Sequence, residues 1–259
     1  MNNIGIKGNI NNKFTFFNTF IFNLVLNLQE ALKIIFIVRK IYTENCVEHL
    51  RRIIWTCLPI AVLTVCASSI IFAIQVAPTF ATRGLTSYLG GGIALALIRE
   101  CVPVMGSLAL VTQYCSGATA QIGSMKITEQ LDAMKISKVS PVSYILVPMI
   151  LAGIVGFPIV IAISIISGVI VNFFATNLLI DITQKLYTSS ILHVVQFKDI
   201  FLALTKASIF GFFVTLVSYT CGVLTAGGAK AVGNSTRLAV VINFALIIIL
   251  DYIITALWL

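Results

Sequence analysis

Residues 144–175, YILVPMILAGIVGFPIVIAISIISGVIVNFFA, decide the fold. This run of 32 residues contains no charged side chain. About 20 residues, each rising about 1.5 Å, cross a hydrocarbon layer of roughly 30 Å, so a helix of this length spans it. The rest of the chain agrees with that reading. Of its 259 residues, 59% are hydrophobic and 10% charged, against roughly 25% charged in a soluble domain. Such a composition excludes a soluble enzyme, a disordered chain and a nucleic-acid binder. The chain reads as an all-α membrane protein.

Outward from that stretch, apolar blocks recur at Trp55–Thr79, 88–120, Phe201–Leu224 and Leu238–Leu259. With Tyr144–Ala175 they make five spans, joined by loops too short for a second domain. Residues 1–13 are polar and Asn-rich and are expected to be disordered. Residues 14–52 read as an interfacial helix and a charged hinge (Glu44 to Arg52), and 53–259 as the transmembrane domain. Asn23, Asn27 and Glu30 fall at i, i+4 and i+7, so the segment has one wet stripe and suits the membrane interface. The rival reading is a signal peptide, but no small-x-small cleavage site follows the apolar stretch.

Charge sets the orientation. The N-terminal segment, residues 121–140 and the Gly-rich Ala226–Arg237 loop share one face, which holds 12 of the 17 Lys and Arg. Arg83, Lys185 and Lys198 lie opposite, so the first face belongs on the cytoplasmic or matrix side. The net charge of +8 records this bias rather than a nucleic-acid partner.

Within the membrane, Arg99 and Glu100 sit in span two and Asp251 in span five. Intramembrane charges cost roughly 2.5–3.5 kcal/mol on insertion scales and are rarely idle. They read as an interhelix clasp with Lys206 or Asp251, or as a pair snorkelling to the interface. Ala152, Gly156, Ser164 and Gly168 form a small-residue face suited to close helix packing. Gly90–Gly92 suit a flexible helix or a plain span start. The six cysteines show no C-x-x-C pair and read as small core residues, with neither disulfide nor metal. His49 and His193 are isolated and read as surface residues. With no nucleotide-binding G-x-x-x-x-G-K-[ST], no H-E-x-x-H and no nucleophile elbow, the chain reads as a non-enzyme without a cofactor.

Residues 121–136, QIGSMKITEQLDAMKI, are amphipathic. Ile127, Leu131 and Met134 make an apolar stripe, and Glu129, Asp132 and Lys135 a polar one. Too short and too charged to span, the segment reads as an inward-facing helix between spans two and three. It is either an interfacial connector or a lever for a partner.

The pattern Arg99-Glu100-x-x-Pro103, Gly123-x-Met125-Lys126-x-Thr128-Glu129-Gln130-Leu131, Pro141 and Val147-Pro148 resembles the signature of MlaE-type permeases. These are the membrane subunits of ABC lipid transporters, related to plastid trigalactosyldiacylglycerol-type permeases. A second block, Gly227-Gly228-Ala229-x-x-Val232-Gly233-x-x-Thr236, with Ala239-Val240-Val241 and Asp251-x-x-x-Thr255-Ala256-Leu257, is similar to the family's C-terminal pattern. The resemblance covers roughly residues 45–259. It implies a homodimer moving phospholipid or a related polar lipid, a separate ATPase subunit on the basic face and a lipid-binding partner opposite. It also implies that Gly123, Lys126, Thr128, Glu129, Gln130 and Asp132 form the ATPase-coupling segment. Two departures stand out: Thr112-Gln113-Tyr114-Cys115 replaces Gly-Arg-x-Gly, and Gln121 replaces an acid, which reads as the joint loss of one ion pair.

With so few charges in the spans, the lipid route is expected to be an apolar cavity between two copies. Val76, Phe80, Tyr252 and Leu257 are its expected wall. A lipid-modifying enzyme using Glu100 or Asp251 and a secondary transporter are the rival classes. The first has too few converging polar groups, and five spans do not divide into equal repeats as the second requires. The 39 isoleucines and the Asn- and Phe-rich start favour the plastid inner envelope over a bacterial inner membrane.

Overall fold

A computed structural model gives the architecture; it describes residues 4–37 and 43–258, with side chains from residue 18 onward except 35–37. Among the described residues the chain is helical apart from short turns, in eight helices. α1 is Ile4–Ile37 and α2 is Thr43–Thr82. α3 runs Thr86–Ile127, α4 is Gln130–Ile136 and α5 runs Val142–Ile180. α6 is Gln184–Val194, α7 Phe197–Val223 and α8 Ala229–Trp258. α2, α3, α5, α7 and α8 are long and apolar enough to cross a membrane, so this is a multi-pass membrane protein.

The helices overrun the apolar blocks because charge excludes a residue from hydrocarbon, not from a helix. Glu44–Arg52, expected to be a hinge, forms the first turns of α2. Glu48 and Arg52 stand four apart in the favourable order there. The break before it lies at 38–42, outside the described residues. α1 begins at Ile4, not at residue 14, since Asn in a helix costs well under about 1 kcal/mol relative to Ala. The Gly-rich 226–237 loop is mostly the first turns of α8, for a lone Gly233 costs only about 1 kcal/mol in a helix.

Small residues set the packing of the spans. Along α2, Ile53, Cys57, Ala61, Val65, Ser69, Ala73 and Ala77 are buried at every fourth position. This seam meets the small face of α5, where Gly156 lies against Ile53 and Gly168 against Val65 and Ser69. The Asn172 amide closes it by donating to the Ser69 carbonyl (2.8 Å). Behind it, α5 touches α7 backbone to backbone. A Cβ on Gly211 would stand 2.3 Å from the Gly153 oxygen. Without a hydrophobic drive between helices in lipid, such close approach is what holds the spans together.

The glycines at 90–92 are a docking site rather than a hinge. α6 lies across them, and the Gly91 N–H donates to Ser190 Oγ (2.9 Å). A Cβ on Gly90 would meet Tyr187 and one on Gly91 would meet Val194 and Ser190.

Gly211→Val should prevent recovery of folded protein from detergent. Gly153→Ala should lower the thermal unfolding midpoint, with overpacking costing about 1–3 kcal/mol. Unfolding followed by intrinsic fluorescence checks both.

Candidate functional site

Two places on this scaffold concentrate chemistry. The first is intramembrane, where α3 is not a uniform helix. It contains two wide π turns, Leu97–Cys101 and Val111–Cys115, features that often sit at functional sites. The first carries Arg99 and Glu100. Lys206 of α7 is fully buried, and its ammonium meets three acceptors. These are the Arg99 carbonyl (2.9 Å), Glu100 Oε2 (2.9 Å) and Asp251 Oδ1 of α8 (2.8 Å). The first two are hydrogen bonds and the third is an ion-pair contact. The Thr255 hydroxyl adds a contact to Glu100 Oε1 (3.2 Å).

Arg99 turns the other way. Its guanidinium reaches Asp199 Oδ1 through Nη2 (2.6 Å) and Nε (2.7 Å). The other Asp199 oxygen accepts from the Gln196 N–H (2.8 Å) and caps α7. The residue spacing brings attention to Lys206 and Asp251 but passes over Asp199. Its signal is Gln196-x-x-Asp199 at a span start, a capping pair.

The second π turn also faces α8, where the Asn243 amide donates to Cys115 Sγ (3.1 Å). Gln113 is exposed, while Gln121 accepts from Arg52 of α2. The two departures therefore do not form one lost pair. Eight residues separate them by about 12 Å along the helix.

The second place is the basic end. Residues 121–127 continue α3, and the chain corners at Glu129, whose φ is 59°. The amphipathic segment is thus two helices, not one, and Ile127 does not share a stripe with Leu131 and Met134. Thr128 and Glu129 are exposed at the corner. Both Asp132 N–H and Ala133 N–H donate to the Glu129 carbonyl. Asp132 accepts from Lys126 (2.8 Å) and Lys135 (3.3 Å), which ties α4 back onto α3. Hydrogen bonds from Lys126, then Lys135, hold the Asp132 carboxyl below the usual carboxylate range. A lowered folded-state pKa means this tie persists at neutral pH and is lost only as pH falls through that depressed value.

α4 has two sides. Leu131 and Lys135 face α1, whereas Gln130, Ala133 and Met134 line a separate cavity with Tyr144. Gly123 lies beneath, where a Cβ would stand 3.1 Å from Thr225 Oγ1 and 3.4 Å from Val232. Ile122 meets Gly222, and the Thr119 hydroxyl donates to the Ser218 carbonyl (3.2 Å). The two sequence blocks near Gly123 and Val232 therefore meet in space. A permease MlaE profile matches residues 46–257.

The chain belongs to the MlaE permease family. Among proteins similar to this MlaE-family chain is the Probable ABC transporter permease protein of Synechocystis sp. It is 32% identical over 213 residues, covering 82% of this chain and 81% of that protein. The Probable ABC transporter permease protein ycf63 of Porphyra purpurea is 31% identical over 202 residues, 78% of this chain and 77% of that one. The chloroplastic protein Trigalactosyldiacylglycerol 1 of Arabidopsis thaliana is 29% identical over 217 residues. That match covers 84% of this MlaE-family chain and 62% of the plant protein.

The expected lipid-wall residues are not gathered in one chain. Tyr252 and Leu257 of α8 are exposed, whereas Val76 and Phe80 of α2 are half-buried. α2 packs mainly on α5, and α8 on α7 and α3. A cavity of about 280 Å³ near Arg99, Glu100, Thr255 and Trp258 includes none of the four.

Proposed function

We propose that the chain is the membrane subunit of an ABC transporter that moves phospholipid or a related polar lipid, driven by separate ATPase subunits. The observation that carries this reading is the corner at Glu129. It places an exposed, charged, αL-kinked joint where α3 ends, directly over the contact between the family's two blocks. A push on α4 is passed to α3 through the Lys126–Asp132 tie and to α8 through Gly123 and Val232. Gly123, Lys126, Thr128, Glu129, Gln130 and Asp132 form the docking segment for an ATPase on the basic face. The plastid inner envelope is the membrane that composition favours, and the chloroplastic plant relative supports a plastid location.

Two copies form the transporter. Support comes from α8, whose outer surface shows Val241, Ile248, Ile249, Tyr252 and Leu257, apolar and exposed. Val76 and Phe80 lie on a span that does not pack chiefly on α8 within one chain. A wall combining them with Tyr252 and Leu257 is therefore built between chains. The lipid-binding partner meets the far side, where that cavity opens.

Glu129→Lys should abolish ATPase co-purification and lipid transfer while the protein stays inserted and dimeric, because like charges at a docking surface cost several kcal/mol in unfavourable cases. Glu129→Gly, which suits φ 59°, separates loss of the side chain from loss of the corner. Normal co-purification and transfer in the Lys variant would remove the coupling role.

A photo-crosslinker at Phe80 or Tyr252, in membranes holding a labelled phospholipid, should capture lipid at both sites. Adducts absent at both yet strong at the lipid-facing Ile166 of α5 would sink the two-copy cavity.

A further inference from the structure

On the basic face a cavity of about 410 Å³ lies between α1, α4 and the inner end of α7. The polar stripe of α1, Asn23, Asn27 and Glu30, lines this open cavity. Asn27 donates from Nδ2 to Thr220 Oγ1 (3.2 Å), and Glu30 Oε1 accepts from the Ser140 hydroxyl (2.9 Å). The opposite side of α1 exposes Phe22, Val25 and Leu26. That apolar side belongs in lipid, so the cavity sits at the level of the head groups of the basic-side leaflet.

Lys126, Lys135 and Lys138 line the cavity from one side, with Glu30 the only acid among the lining residues. Lys126 and Lys135 share the single carboxylate of Asp132, which leaves ammonium donors on both unspent. Lys138 has no ion-pair partner among the described residues and is held with φ 59°, a backbone setting unusual for a lysine. Glu30 is tied to Ser140 rather than to any of the three ammonium groups. The cavity thus carries an excess of positive charge that its own carboxylates do not neutralise. Leu131, Val139 and Val223 supply an apolar wall beside these groups. Three lysines lining one half-apolar cleft match a phosphate anion attached to an apolar body.

We propose that this cavity binds a phosphate-bearing anion, with Lys126, Lys135 and Lys138 as its ligands and α1 as its outer wall. The bound anion bridges α1 to α4 and so braces the segment that meets the ATPase. This site is separate from the two-copy lipid route and does not depend on it, because it lies at the other end of the spans from Tyr252 and Leu257.

The test uses the purified full-length protein in mild detergent, with its unfolding temperature followed during titration. The ligands are phosphatidylglycerol, phosphatidylcholine of the same chains, and inorganic phosphate. Phosphatidylglycerol should raise the midpoint by several degrees, several-fold more than phosphatidylcholine. Lys138→Gly relieves the positive φ while removing a ligand, so that variant should fold at least as well as the parent and lose most of the shift. Lys135→Gln should weaken the response several-fold as a second, independent variant. A shift from inorganic phosphate as large as that from phosphatidylglycerol assigns the site to the free anion; a shift from the lipid alone assigns it to a head group. Equal responses to both lipids with phosphate inert, or an unchanged phosphatidylglycerol response in both variants, overturns the proposal.

Discussion

A lysine with no exposed surface, inside a bundle that is 59% hydrophobic, is the constraint around which the spans are arranged. An unpaired ammonium there would cost several kcal/mol after relaxation, so two other helices must bring acceptors to it. α3 supplies Glu100 and a backbone carbonyl, and α8 supplies Asp251. The wide turn at Leu97–Cys101 positions both α3 acceptors, and the adjacent Arg99 is left to reach Asp199 at the start of α7. Close backbone contact between Gly153 and Gly211 then holds α5 against α7. Polar satisfaction selects which helices are neighbours, and small residues set how near they come.

The proposed function rests on the two ends of this frame. At the basic end, α3 breaks at Glu129 and returns as α4, tied by Asp132 to Lys126 and Lys135. This tie joins α4 to α3, and α3 carries Glu100 into the Lys206 cluster. In the proposed coupling role, α3 connects the basic face to the level at which α8 is clasped. The second π turn gives α8 another hold on the same helix through Cys115 and Asn243.

Much of this was legible in the sequence because membrane insertion depends on composition and length. Five spans, their orientation bias and the intramembrane charges Arg99, Glu100, Lys206 and Asp251 could be read from residue type alone. The π turns could not, since they leave no mark on local hydropathy. The split of 121–136 at Glu129 was likewise hidden. Its 3.6-residue periodicity runs on through a residue that stands in the left-handed region. The stripe Asn23, Asn27 and Glu30 was visible, but its direction was not. A polar stripe satisfies water and a polar cleft equally well, and only the packing of α1 on α7 distinguishes them. Asp199 was passed over because a carboxylate at a span start reads as an ordinary cap.

The most direct measurement is a double-mutant cycle between Lys206 and Asp251, read as unfolding free energy in detergent. Lys206→Met should cost about 3–5 kcal/mol, since it strands a carboxylate inside the bundle. Asp251→Leu should be similarly costly, and the double variant Lys206→Met/Asp251→Leu should lose far less than the sum of the two. Strictly additive losses, or a Lys206→Met protein as stable as the parent, would contradict a bundle organised around that ammonium.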